Sequence, residues 1–367
     1  MGWAALSEWV PYYPLYALLF LDTGLPIAQI SVLFAVWSIT GLLAGIPAGA
    51  LADRWSRRGV VVLAGFLQAV AFLVWTATPG FAAFAIGFVV WGLSGALVSG
   101  ASEALVHDAL ADVGAEDSFA RVYGWMTAAE LLVQIPTAVA ASALVALGGY
   151  PLVGGASAGA CIAAALLALR FPEPPRHTDD ESIAGTLRQG VREAVRTPAL
   201  RLPVLAVALV GALDAVEEYF PVLAADHGVP VGSVPFAVLA MALAGAVGAA
   251  LGGRAEGLRD GVLPVLLGMA GMCLGAAVVL PAAGALAAVA VFYGLYLAVL
   301  VVAESRLQQR IAGARRATIT SVAGLGVELA SLLVFAAWAL GGVAAGAVLV
   351  LAVVPVVRSG LRVTVPG

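Results

Sequence analysis

The chain has no lysine and no asparagine, and it holds only three histidines and two cysteines in 367 residues. Without lysine it has no phosphate-binding loop of the kind that ends in Gly-Lys-Ser/Thr, so ATP hydrolysis is not expected of it. His107, His177 and His227 are scattered at loop or helix ends and make no metal-ligand set. Cys161 and Cys273 lie within apolar runs, which suits small buried side chains rather than a metal site or a disulfide framework. Charge is scarce as well. Charged residues make up 11% of the chain, about half the share of a soluble domain. The arginines do not interleave with aromatics on a soluble face, so nucleic-acid binding has no support. No cofactor is expected and no catalytic residue is assigned.

What is abundant is hydrocarbon. Apolar residues make up 62% of the chain, and they come in long runs rather than as one large core. The first run lacks a basic leading region and is too long for a cleaved signal peptide. Twelve runs approach the ~20 residues that cross a bilayer core. They cover 2–21, 27–51, 60–78, 81–106, 121–147, 150–169, 202–223, 232–252, 261–280, 284–303, 317–340 and 343–357. The last two are divided only by Gly341-Gly342. The expected fold class is therefore an all-α membrane protein of twelve transmembrane helices.

The arginines test that layout. They fall at 54–58, 121, 170–201, 254–259, 306–316 and 358–362, always in alternate connections or at the C-terminal end. The other connections hold none. The bias of basic residues toward the cytoplasm then places both termini inside, in a multi-pass protein of the inner (cytoplasmic) membrane. A monomer is expected.

The chain also repeats itself. Asp22-Thr-Gly-Leu-Pro26 returns as Asp226-His-Gly-Val-Pro230, and Trp91-Gly-Leu93 returns as Tyr293-Gly-Leu295. Offsets of 204 and 202 residues are about half the chain, so two six-helix halves in one orientation are expected, 1–169 and 202–367. Parallel repeats of this kind are a transporter architecture. Residues 170–201 form the linker between them. Its stretch from Ser182 to Arg196 carries Ile183, Leu187, Val191 and Val195 on one stripe, which fits either a surface helix or a solvated linker.

One loop is unusually charged. Gly49-Ala-Leu-Ala-Asp53-Arg54-Trp-Ser56-Arg57-Arg58 joins spans 2 and 3. The arginines suit lipid headgroups, whereas Asp53 contributes little to anchoring and is expected to pair with an arginine or a helix N-terminus. The stretch resembles the signature between helices 2 and 3 of the major facilitator superfamily. Arg316-Ala-Thr-Ile-Thr-Ser321 resembles a second stretch of that superfamily, and the length, spans and half-repeat are similar throughout. Residues 99–124 resemble a poorly characterised bacterial subset of it. The resemblance implies two pseudo-symmetric six-helix bundles, rocker-switch alternating access, and an Asp53 that helps latch one state. The chain departs from the pattern in having Ser56 where the family has Gly. Its second-half counterpart at 252–261 is degenerate, with only Arg259 and Gly261 in line. The drug/proton antiporter signatures are missing, since Phe88 stands where span 4 would carry Arg, and Glu130-Leu-Leu-Val-Gln-Ile-Pro136 occupies span 5.

Acids within the spans are the remaining signal. Glu8, Glu103, Glu130, Asp214, Glu217, Glu218, Glu304 and Glu328 all fall in apolar runs. An ionised carboxylate there costs ~2.5 kcal/mol or more, so each must be protonated, reach water or meet a cation. Glu103 and Glu304 lie near cytoplasmic ends, within reach of Arg121 and Arg306. Asp214, Glu217 and Glu218 share one side of span 7 at i, i+3 and i+4, an arrangement suited to carrying a proton or cation. Tyr12, Tyr13 and Tyr16 lie in span 1, and Tyr13 is the repeat counterpart of Glu217. In the superfamily, spans 1, 4, 7 and 10 line the cavity, which adds Trp91, Tyr293 and Tyr296. Aromatic faces beside carboxylates suit a lipophilic cation.

The expected function is secondary active transport of a small solute, with proton-coupled export of a cationic or lipophilic compound as the leading reading. Gly49, Asp53, Arg54, Arg57 and Arg58 would form the cytoplasmic gate. An importer of a polar nutrient, or a membrane sensor or assembly partner that keeps the fold without moving a solute, are the alternatives.

Overall fold

A computed structural model describes residues 1–173, 198–254, 261–311 and 316–362. Most of the 170–201 linker, including the stripe from 182 to 196, and Arg259 lie outside the described residues, as do the side chains of Asp53, Arg54 and Arg316. Everything described is helix, turn or short connection. The chain divides into two compact units, Met1–Asp180 with Pro230–Phe236, and Glu181–Val229 with Ala237–Gly367.

Seven helices are each long and apolar enough to cross a membrane. Two of them hold two spans. The helix Phe119–Ala168 has 50 residues, and a straight one would run about 75 Å, far beyond a ~30 Å hydrocarbon core. It folds back at Gly148 (φ −154°, ψ 16°) and Gly149 (φ 63°, ψ −162°). Arg316–Gly360 does the same at Gly341 (φ −155°, ψ 17°) and Gly342 (φ 55°, ψ −140°). The two kinks have nearly the same backbone geometry, each with its second glycine in a region that side chains rarely adopt. The thin glycine break seen in the sequence is thus a full reversal. The shorter helix Val262–Ala276 supplies span 9.

Spans 1 and 7 differ from the expected continuous helices. Span 1 is a helix Gly2–Glu8 and a helix Tyr16–Asp22 with turns between. Span 7 is a helix Pro198–Ala212, a 3₁₀ segment Leu213–Tyr219 and a helix Phe220–Asp226. The interruptions at 9–15 and 213–219 coincide under the repeat offset of 204. Proline explains both. Pro11 and Pro14 lack the N–H that would reach Ser7 and Val10, and the chain tightens to i−3 bonds such as Tyr13 N–H to Val10 O, 3.1 Å. Pro221 likewise gives no N–H to the Glu217 carbonyl. Pro26 and Pro281 stand directly before the helices Ile27–Arg54 and Ala282–Arg310, with the extended backbone a helix start favours.

Packing in the first unit is dominated by aromatic rings. Trp75 is fully buried, donates from Nε1 to the Phe84 carbonyl at 3.1 Å, and fills space that only Gly87 leaves open. Tyr12, Tyr16, Phe20, Phe72 and Phe88 pack around it. In the second unit small residues set the spacing. A Cβ on Gly248 would lie 1.9 Å from the Gly294 carbonyl oxygen, and one on Gly245 would strike the Tyr293 ring. Spans 8 and 10 therefore cross at backbone contact, as small residues allow in lipid.

The kinks yield a prediction. Gly342→Ala meets nothing within 4 Å, so its cost is purely the backbone conformation, about 1–3 kcal/mol. Gly159→Ala, in a regular helix with equally open surroundings, should be neutral or stabilising by about 0.4–1 kcal/mol. Thermal unfolding of detergent-purified variants should rank Gly342→Ala clearly below the parent and Gly159→Ala at or above it.

Candidate functional site

The interruption of span 7 presents its acids on a segment whose side-chain spacing is that of a 3₁₀ turn, so Asp214 and Glu217 project from the same side. Both meet span 10. The Tyr293 hydroxyl lies 3.0 Å from Asp214 Oδ1 and 2.6 Å from Glu217 Oε2. Tyr296 adds a hydroxyl 3.4 Å from Asp214 Oδ1 and 3.4 Å from the Gly211 carbonyl. Phe220 meets the Tyr293 ring edge-on at 5.0 Å. Asp214 remains exposed despite these contacts, while Glu217 and Glu218 are half-buried. The Gly245 gap described above seats the Tyr293 ring, so span 8 fixes where the hydroxyl stands.

Hydrogens are short at the Tyr293 hydroxyl, although Tyr296 offers Asp214 a second, longer contact. A phenol carries one proton, and two carboxylate oxygens stand within bonding distance of the same hydroxyl. With both acids ionised, one of them would face a lone pair. One additional proton on the acid pair satisfies the set, because a protonated carboxyl donates to the tyrosine oxygen while the tyrosine donates to its neighbour.

The first unit has a different chemistry at the equivalent positions. Tyr13 stacks on Trp91 with ring centroids 5.5 Å apart and planes 14° from parallel. Trp91 in turn stacks on Trp37 at 5.2 Å and on Phe88 at 5.8 Å. The Tyr13 hydroxyl accepts from Gln68 Nε2 at 2.9 Å. Tyr12 and Tyr16 are buried, at 0% and 4% exposure. They do not line an open cavity as the sequence suggested, because the proline-bounded turn carries them into the aromatic core. Tyr12 donates its backbone N–H to Ser157 Oγ at 3.0 Å and sets its hydroxyl 3.3 Å from Thr76 Oγ1. Glu8 ends the first short helix, and both it and Glu130 are half-buried. Glu103, Glu304 and Glu328 are exposed.

The same unit contains a cavity of about 440 Å³ at its arginine-bearing end. Trp3, Val61, Leu105, Val106, Met126 and Phe171 line it, so it is almost wholly apolar.

Beside it, the charged loop is anchored by residues whose roles the sequence did not reveal. Ser56, the departure from the family pattern, caps the helix Arg57–Ala77 by accepting the Gly59 N–H at 2.8 Å. Two guanidiniums in a first turn oppose the helix dipole, so each needs an acid. Arg57 pairs with Asp108 at the end of span 4. Arg58 approaches Glu173 at 3.5 Å and donates to the Phe171 carbonyl at 3.1 Å, and Ser56 donates to the same Glu173 at 2.7 Å. Asp108 was detectable as an acid at an arginine-side helix end, whereas Glu173 was hidden in a linker with no periodic signal. Gly49 lies in the last turns of the helix before the loop.

The second unit closes its arginine-side end by another route. Arg306, 5% exposed, donates to the Leu361 carbonyl at 2.7 Å, and Arg310 donates to the carbonyls of Gly360 (2.6 Å) and Arg362. Carbonyls at a helix end have no partner within the helix, and a guanidinium both bonds them and suits the negative end of the dipole.

Comparison with known proteins follows this geometry. A bacterial homolog of the human lysosomal transporter Spinster, in an inward-facing and occupied conformation, is similar over 98% of this chain and 90% of its own, at 18% identity and a TM-score of 0.75. The nucleoside transporter NupG is similar over 98% and 96%, at 14% identity and a TM-score of 0.74. A D-xylose–proton symporter is similar over 98% of both chains, at 13% identity and a TM-score of 0.72. At these identities the likeness establishes the fold of twelve helices alone. A comparison with curated protein sequences gives no match. The sequence profile of the Major Facilitator Superfamily matches residues 2–335. The chain therefore belongs to the Major Facilitator Superfamily, whose members are multi-pass membrane transporters of small solutes.

Proposed function

We propose that this transporter couples solute movement to protons, and that the Asp214–Glu217 pair under Tyr293 is the proton site. The observation that carries the reading is the single phenol between two carboxyl oxygens, at 2.6 and 3.0 Å. The Tyr293 hydroxyl is one proton short of its two carboxyl contacts when both acids are ionised, and on a segment with Asp214 exposed the pair binds and releases a proton with a change in its own geometry. That change supplies the differential interaction an alternating cycle needs. Glu218 and Glu8 are further acids on the interrupted spans, and Glu130 is another in the first unit.

The solute we favour is a cationic or lipophilic compound, moved outward as a proton enters. The half-buried Tyr13–Trp91 stack offers an aromatic face to a cation, and the apolar cavity of the same unit suits hydrocarbon. The chain acts as a monomer with residues 1–169 and 202–367 as its moving halves and 170–201 as the linker. Both termini lie in the cytoplasm, on the arginine side of the inner membrane. The loop from Gly49 to Arg58, with Asp53 and Arg54, is its cytoplasmic gate, and the pairs of Arg57 and Arg58 are the contacts it would break.

The test is a screen of solutes, tetraphenylphosphonium first, in proteoliposomes with a pH-sensitive dye inside. A transported solute should move protons in the opposite direction. Asp214→Asn and Glu217→Gln should each reduce gradient-driven transport at least tenfold while leaving solute exchange without a gradient largely intact. Transport that ignores both the gradient and these substitutions rules the coupling out.

The gate gives a second expectation. Arg57→Asp should slow transport and lower thermal stability, and adding Asp108→Arg should restore both in part, with a coupling of about 1 kcal/mol for a partly exposed pair. Equal defects in the single and double variants would remove the Arg57–Asp108 pair from the gate.

A further inference from the structure

The corner between spans 7 and 8 holds a histidine whose bonding is unlike that of its counterpart in the first half. The ring nitrogens of His227 lie 2.8 Å (Nδ1) from the Leu223 carbonyl oxygen and 3.1 Å (Nε2) from the Ala277 carbonyl oxygen. A backbone carbonyl only accepts, so each contact requires an N–H. A neutral imidazole has one N–H and an imidazolium has two. Only the protonated ring satisfies both contacts.

Both acceptors lie at helix ends. Leu223 lies in the last turn of the helix Phe220–Asp226, and Ala277 ends the helix Val262–Ala276. Both carbonyls therefore belong to the negative ends of helix dipoles, which stabilise a cation. The charged group nearest in sequence is Asp226, which is exposed. Residues 220–225, the turn at 228–236 and the end of span 9 at 277–284 contain no acid, base, cysteine or tyrosine.

The first half shows the same corner without a titratable ring. Asp22-Thr-Gly-Leu-Pro26 and Asp226-His-Gly-Val-Pro230 turn alike, with Gly24 at φ 86° and Gly228 at φ 78°. Their glycine N–H groups bond the carbonyl three residues back at 2.8 Å in both. Thr23 Oγ1 donates to Leu19 O at 2.6 Å, the position equivalent to Leu223. A hydroxyl has one hydrogen, so that bond stays local. The tie across to another span is made there by Tyr150, which donates to Asp22 Oδ2 at 2.6 Å from the start of span 6. In the second half one imidazole makes both the local bond and the tie to span 9.

We propose that His227 is a proton-operated tie between the arginine-free end of span 7 and the end of span 9. Protonated, it holds both carbonyls. Neutral, it must give one of them up, so the tie is present when the ring carries both protons and is lost when the ring gives one up. Because span 7 is interrupted at 213–219, the segment that His227 anchors is short, and releasing it frees the outer piece of the span that bears Asp214 and Glu217.

The experiment uses the full chain in lipid nanodiscs, with Cys161→Ala and Cys273→Ala and spin labels at Ala225→Cys and Val279→Cys. Distances are measured by pulsed electron paramagnetic resonance. Between pH 5.5 and 8.5 the distance distribution should at least double in width. With His227→Thr, the residue that occupies the equivalent corner, it should be broad at both pH values and unchanged between them. A parent distribution that is the same at both, or a His227→Thr distribution that still widens, overturns the proposal. An independent readout needs no change at the corner. With His107→Gln and His177→Gln, His227 is the sole histidine, and carbon-13 resonances of the ring report its protonation. A doubly protonated ring at pH 5.5 that becomes a single neutral tautomer by pH 8.5 supports the tie. A ring that stays neutral throughout rejects it.

Discussion

The constraint on which everything else depends is that a peptide group in hydrocarbon has no water to bond. A regular helix satisfies it locally, and most of this chain is regular helix. The informative places are those where the helix stops. At 148–149 and 341–342 the chain reverses through paired glycines with matching torsions, at the ends of spans where water is near. At the arginine-side ends of the bundles, guanidiniums take the last carbonyls, Arg58 on Phe171 in one unit and Arg306 and Arg310 on residues 360–362 in the other. At 9–15 and 213–219 the helix fails inside the membrane itself. Non-helical backbone at that depth persists only when protein covers it or water reaches it. The two interruptions divide those options. The first is buried almost throughout, while the second exposes Asp214.

Two pseudo-symmetric halves therefore carry unequal chemistry at equivalent points. The contact between a residue of the first span and one of the fourth is kept in both, Tyr13 with Trp91 and Glu217 with Tyr293, under offsets of 204 and 202 residues. In one half it is a stack of π-faces whose energy does not depend on pH. In the other it is a carboxyl–phenol bond whose proton count can change. The corners repeat the theme, with a hydroxyl at Thr23 and an imidazole at His227. A rigid aromatic half and a titratable half are a reasonable division of labour, because a pH-dependent force has an effect only if it acts against something that does not respond to pH.

How much of this could be read beforehand follows from how far each signal travels along the chain. Spans are set by local hydropathy, and the span boundaries at 148–151 and 341–342 were visible as glycines between apolar runs. The repeat was visible because it preserves spacing, and it aligned Tyr13 with Glu217. The acids of span 7 stood out because their cost in hydrocarbon is large compared with any benign explanation. Three things were not visible. The breaks within spans 1 and 7 depend on prolines that helices in membranes often tolerate, so composition alone did not separate a kink from an interruption. The burial of Tyr12 and Tyr16 depends on which way the turn at 9–15 carries them, and helical periodicity predicts that wrongly once the helix has stopped. The partners Asp108 and Glu173 lie 51 and 115 residues from the arginines they meet, a separation no motif encodes.

On the two proposals made above, span 7 carries two proton-responsive groups of opposite kind on either side of a short segment. The acid pair gains a neutral state on binding a proton, and the imidazole gains a charge. If the protonated imidazole fixes the outer segment, and if the acid pair needs that segment in place to share its proton with Tyr293, each occupancy favours the other. Linkage makes this reciprocal: whatever factor His227 protonation adds to the proton affinity of the pair, the pair returns to His227. The consequence is a cooperative uptake of protons from the arginine-free side, steeper with pH than either group alone. The size of that coupling is bounded by one hydrogen bond to a charged group, about 1.5–3 kcal/mol, or roughly one to two powers of ten in affinity. If the carrier is coupled to protons as proposed, it gains direction from such steepness, because the same small difference in pH moves the pair further between its two states.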